Sequence, residues 1–212
     1  MIADRKRFEA TIAAFDAANA EDPNLDEGQP KELRYAQRMS DMLERFAPEA
    51  AEAVQLAVRA QHIQRWKTPR SSYPMDRQGY LQWRTGLYKF HAETAGRIMA
   101  ENGYDGETLD RVKTAVGKKG IKVNAETQLL EDVTDLVFLE HYLAGFAARH
   151  PDYSEEKWIE IIRKTWQKMS QAARDFVLAG KVSLPDTLRP LILKAVSPPP
   201  RGSCWRPRRV PG

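Results

Sequence analysis

Across nearly the whole of this 212-residue chain, apolar side chains return every three or four residues, and no stretch of useful length alternates. That period restricts the chain to helices packed on helices, since a 3.6-residue turn gathers such positions on one face. Seven helices are expected, at about 3–20, 30–46, 48–67, 80–102, 106–117, 125–149 and 154–180. Pro30 and Pro48 suit the openings of the second and third, and Gly103 closes the fourth. The predicted class is all-α, a single helical domain over residues 1–196.

Several of these apolar stripes carry an ionisable group. Glu32 heads the stripe of Ala36, Met39, Leu43 and Phe46, and His62 follows Val54 and Val58. His91 lies with Leu87, Ala95 and Ile98, and Asp132 with Leu136, Leu139 and Leu143. A buried ionised carboxylate costs several kcal/mol unless it is paired or bound to a cation. Imidazole nitrogen and carboxylate oxygen are donors that Mn, Fe, Zn and related divalent ions favour. Glu32, His62, His91 and Asp132 are therefore the candidate metal ligands, with Glu131 as an alternate to Asp132. The same four could instead form an ion-paired core network. His141, on a face with Leu130, Thr134 and Val137, is a weaker candidate.

Around them stand cations and aromatics. Arg65, Trp66, Arg70, Arg84, Lys118 and Lys119 fall at helix ends or in loops, where guanidinium forks suit phosphate or carboxylate. They are the candidate substrate-binding residues for a small anionic or phosphorylated metabolite. Lys164 and Lys168 read as a solvated face.

The charge and composition exclude other classes. Arg201, Arg206, Arg208 and Arg209 account for the whole net charge of +4, and the rest of the chain is neutral. A neutral body disfavours nucleic-acid binding. The tail carrying them, 197–212, is rich in proline and arginine and is expected to be disordered. A single cysteine, Cys204, excludes an internal disulfide and multi-cysteine zinc sites. No apolar run approaches the roughly 18 residues of a membrane span, and no signal peptide is evident, so a cytoplasmic protein is expected. No Gly-x-Ser-x-Gly elbow or phosphate-cradling loop is present.

Two resemblances follow from the residues. Leu56-Ala57-Val58-Arg59-Ala60-Gln61-His62-Ile63 and Gln128-Leu129-Leu130-Glu131-Asp132-Val133 resemble the two ligand-bearing segments of the HD superfamily of metal-dependent phosphohydrolases. Glu32 stands where that family's first histidine would be, and Gln61-His62 replaces its His-Asp doublet; His91 could match an additional histidine. Gln-His-Ile-Gln-Arg-Trp (61–66), Tyr-Pro-Met-Asp-Arg (73–77), Gly-Tyr-Leu-Gln-Trp-Arg (79–84), Leu-Val-Phe-Leu-Glu (136–140) and Lys-Thr-Trp-Gln-Lys-Met-Ser (164–170) are similar to the family catalogued as domain of unknown function 4202.

The first resemblance implies an HD-like bundle and a divalent-metal-dependent hydrolase acting on a phosphate ester of a nucleotide or small metabolite. Asp132 and Glu131 would be catalytic, and Arg65, Arg70 and Arg84 would neutralise the phosphate. The competing expectation is a non-catalytic helical binding or scaffold protein with a buried polar network.

Overall fold

The computed structural model describes residues 2–184 and 186–196; the expected disordered tail lies outside them. Helix starts are set by side-chain oxygens that accept otherwise unpaired first-turn amides. Asp4 accepts the Arg7 N–H to open α1 (Arg5–Ala20), and Asp76 accepts that of Gly79 to open α4 (Arg77–Glu101). Asn124 opens α6 (Ala125–Val137) through Glu126 and Thr127. Ser154 opens α8 (Glu155–Lys168), and Ser170 opens α9 (Gln171–Leu178). Between them run α2 (Lys31–Phe46), α3 (Glu52–Arg59), α5 (Gly106–Val116), α7 (Leu143–Ala148) and α10 (Arg189–Val196). The only strands among the described residues are β1 (Leu25–Asp26) and β2 (Gln29–Pro30), an antiparallel pair. The all-α reading therefore stands.

Three of the expected helices differ from those observed, and one helix is additional. The third runs from Glu52 to Arg59, not 48 to 67, so Pro48 lies ahead of it, and it gives way to turns and a 3-10 segment, Arg65–Lys67. Gln64 there is left-handed (φ 52°), with its N–H held by the Asn19 side chain at 2.9 Å. His62 therefore lies in a turn, off the Val54/Val58 stripe. The sixth is interrupted by a π turn at Phe138–Tyr142. The seventh splits at Met169, whose extended backbone (ψ 144°) ends α8. A further helix, α10, rests on α8: Ile192 is buried, and Arg163 Nε donates to the Ala195 carbonyl at 3.1 Å.

The core lies where α2, α3, α5 and α6 meet, with Met39, Met42, Leu56, Val112, Leu130 and Leu136 fully buried. Each such side chain contributes roughly 1.5–3 kcal/mol relative to exposure. Arg59 clamps α3 to α1 by donating to both Asp16 carboxylate oxygens at 2.7 and 2.6 Å. Among the described residues no helix is long and apolar enough to cross a membrane.

Candidate functional site

Glu32 enters the core because it stands one residue inside α2, where the helical stripe turns inward; its side chain is 7% exposed. Its amide is capped by Asp22 Oδ2 at 3.1 Å. The turn after α3 carries His62 over it, with Glu32 Oε2 3.6 Å from His62 Nδ1. Tyr35, one turn along α2 from Glu32, stacks on the imidazole at 4.2 Å between centroids and 15° between planes.

The tautomer of His62 follows from its other neighbour. Arg65 Nη1 lies 3.1 Å from His62 Nε2, and a guanidinium can only donate. Nε2 therefore presents its lone pair to Arg65, and Nδ1 carries its proton on the side of Glu32. Arg65 in turn lies over Trp83, 5.0 Å from the ring centroid.

His91 comes from α4 and packs behind, its ring centroid 5.8 Å from that of His62. The Ile63 carbonyl, which only accepts, lies 2.9 Å from His91 Nδ1 and so fixes the proton there. The Nε2 lone pair is buried without a partner.

Burial dominates the electrostatics. It pushes the Glu32 carboxyl up to about 7, against the pull of Arg65. It drives His62 well below the usual imidazole range, with Arg65, Lys118 and Lys31 adding to the effect. His91 falls to about 3, through burial and then the neighbouring His62. Both imidazoles are therefore neutral at neutral pH, and Glu32 is poised between its two forms.

The remaining expected ligand is elsewhere. Asp132 is buried, but its Oδ1 accepts the Ser170 amide at 2.7 Å and the Gln128 side chain at 2.9 Å. It holds the start of α9 on α6 and is spent as a structural group. Glu131 meets Lys118 at 2.8 Å and Lys168 at 3.0 Å, and Asp135 shares Lys168 at 3.0 Å. Burial raises Glu131, but the two ammoniums outweigh it and bring it to about 2; Asp135 is left at about 7 by burial.

Glu32, His62 and His91 supply a carboxylate and two imidazoles, yet the His62 lone pair faces a cation. Among the described residues no three His, Cys, Asp or Glu side chains group as metal donors. The expected four-ligand set thus does not fit a metal ion as arranged.

Of the expected substrate-binding residues, only Arg65 stands against His62. Trp66 is half-buried beside Lys67, whose Nζ is 6.0 Å from the ring. Arg70 staples its own loop, donating to the carbonyls of Tyr73 and Asp76 at 3.1 and 3.2 Å. Arg84 donates to Tyr88 along α4. Lys118 is buried in its pair with Glu131, and Lys119 is exposed. Lys168, though 41% exposed at its side chain, is more than a solvated-face lysine, since it joins α8 to Glu131 and Asp135 of α6. His141 pairs with Glu140 at 3.2 Å, away from His62.

Sequence reasoning missed Tyr35 and Asp135. Each follows a flagged acid at helical spacing, Tyr35 three residues after Glu32 and Asp135 four after Glu131, which is the signal that could have found them.

A family model described as Domain of unknown function (DUF4202) matches residues 9–192. No curated protein and no solved structure gives a match.

Proposed function

We propose that this chain, which belongs to the DUF4202 family, is a hydrolase that cleaves a phosphate ester of a small metabolite at the Glu32–His62–Arg65 centre. The observation that carries this reading is one imidazole. His62 is neutral, 23% exposed at its side chain, backed by a buried carboxylate and faced by a guanidinium. It can be reached from outside, and its lone pair points to where an anion would meet Arg65.

In this reading Arg65 turns to the phosphate oxygens and uncovers His62 Nε2, which takes a proton from the attacking water as the ester P–O bond breaks and the alcohol leaves with a proton from solvent. Glu32 stabilises the imidazolium that forms, and Arg65 stabilises charge on the phosphoryl oxygens. Exposed Lys31 adds positive potential at His62. From the HD-like expectation this keeps Glu32 and His62 and gives Asp132 a structural task. No step is assigned to a divalent ion.

The test is phosphate release from a panel of nucleotide and sugar monoesters, with and without chelator. His62→Ala and Arg65→Met should each lower turnover by at least about 100-fold, whereas wild type should keep its turnover in chelator. Turnover unaffected in His62→Ala would sink the assignment. Turnover abolished by chelator and restored by Mn would return the reading to a metal-dependent hydrolase.

A second reading is favoured by the Lys118–Glu131–Lys168–Asp135 cluster. It is that of a non-catalytic helical binding protein whose buried ion pairs hold its helices in register. Absence of turnover on every ester, together with strong destabilisation on breaking that cluster, would favour it.

A further inference from the structure

Beside the start of α2 and the π turn lies a depression of about 340 Å³, lined by Glu27, Arg34, Arg38, Arg45, Glu140 and His141 among others. Arg45 is committed to Glu140, with its two Nη atoms at 2.7 and 3.2 Å from that carboxylate. Arg34 and Arg38 stand at i and i+4 on α2, so both guanidiniums reach one spot. That spot is filled by a single carboxylate: Glu27 Oε2 accepts Arg34 Nη2 at 2.5 Å, and Oε1 is ion-paired with Arg38 Nη2 at 2.8 Å.

The residue that fills it is poorly placed to be a permanent part of the core. The Glu27 side chain is 58% exposed. It sits in the two-residue turn between β1 and β2 with φ +51°, followed by Gly28 at +78°. That first turn position favours Asn, Asp or Gly, and another L side chain there carries strain. Arg38 stays anchored without it, since Nη1 donates to Asp26 Oδ2 at 2.7 Å and Tyr142 Oη at 3.1 Å. Arg34 Nε is buried without a partner, a donor left over for a ligand with more oxygens.

We propose that the Arg34–Arg38 fork is a binding site for the phosphate or carboxylate group of a small metabolite. Glu27 stands in for that group in the free chain and swings out when the ligand arrives. Exchange of one anion for another keeps the local charge balanced, so a monoanion or dianion fits and a cation does not. The site is separate from His62: Tyr35 lies between, stacked on His62 and 5.8 Å from Tyr142, the tyrosine that anchors Arg38.

The test is calorimetric titration of the full chain with inorganic phosphate and, separately, succinate, at constant ionic strength. Glu27→Gln, which removes the competing charge, should bind at least one of them about tenfold tighter than wild type. Adding Arg34→Met to Glu27→Gln should abolish the gain, whereas Glu27→Gln introduced into Arg65→Met should still tighten binding by the same factor. A response to phosphate alone or to succinate alone supports the site and names the group. Failure of Glu27→Gln to bind either probe more tightly than wild type overturns the proposal. So does disappearance of the Glu27→Gln gain in the Arg65→Met background, which would place the anion at His62. Glu27 and Arg34 both reach solvent, so these variants should retain the helical circular dichroism that makes the comparison valid.

Discussion

Two residues carry more of the structure than their chemistry suggests. Asp132 Oδ1 accepts one backbone and one side-chain N–H in a buried setting, and its loss strands the Ser170 amide while Gln128 keeps only the Lys168 carbonyl at 3.0 Å. Asp132→Ala should lower the unfolding free energy by about 2 kcal/mol, read by urea denaturation, while phosphate release by the folded fraction stays at the wild-type rate. A fall in turnover matching that of His62→Ala would return Asp132 to the catalytic centre. Gly79 is the second. A Cβ there would lie 2.1 Å from the Pro74 carbonyl oxygen, because the first turn of α4 presses directly on the preceding loop. Gly79→Ala should cost about 1–3 kcal/mol through that overlap. It should also speed hydrogen exchange across 68–76, the loop that Arg70 staples. Unchanged exchange there would show that the loop absorbs the methyl without shifting.

Among the elements, α6 is the hub. It presents Glu131 and Asp135 to Lys118 in the turn after α5 and to Lys168 at the end of α8. The Lys118 side chain is 5% exposed, and its removal leaves Glu131 to Lys168 alone. Lys118→Met should destabilise by about 3 kcal/mol, and Lys118→Met with Glu131→Leu should recover much of that loss, since the paired charges leave together. Thermal unfolding of the two variants measures the difference; an unrecovered double variant would mean that Lys168 and Asp135 depend on Glu131. The elements also show where pattern reading succeeds. Capping residues such as Asn124 and Ser154 mark helix starts locally, whereas the left-handed turn at Gln64 that follows α3 is held by Asn19, 45 residues earlier. No window around residue 60 contains that information.

For the whole molecule, the buried acids and imidazoles oppose one another. Glu32 and Asp135 have folded values near 7, above their ordinary 4.5 and 3.8, so each costs stability as pH rises across that gap. His62 and His91 are depressed below 6.5, so each costs stability as pH falls below it. Between about pH 4.5 and 6.5 two protons are favoured in each direction, and the stability profile should be nearly flat. Below about 4.5 the acids no longer compensate, Glu131 is progressively protonated toward its value of about 2, and stability should fall steeply. His91→Gln removes one opposing group. Its stability should therefore decline with rising pH across the plateau, by at most about 1.4 kcal/mol per pH unit. Denaturation midpoints at several pH values supply the slope; a flat profile in His91→Gln would mean that only one of Glu32 and Asp135 is raised, and a rising one that neither is.

The all-α class, most helix starts and the burial of Glu32, His91, Glu131 and Asp132 are properties of the sequence alone, because a 3.6-residue period and local capping are written in neighbouring residues. Which buried groups meet was decided only by the tertiary structure. Glu131, Asp132 and Asp135 are all buried on one helix, yet two face lysines and the third holds a distant helix end. Periodicity resolves the inward side of a helix but not which neighbour lies there. His62 shows the same limit. Its place on an apolar stripe suggested a helical ligand, while the packing of Asn19 against the chain after α3 put it in a turn between Glu32 and Arg65.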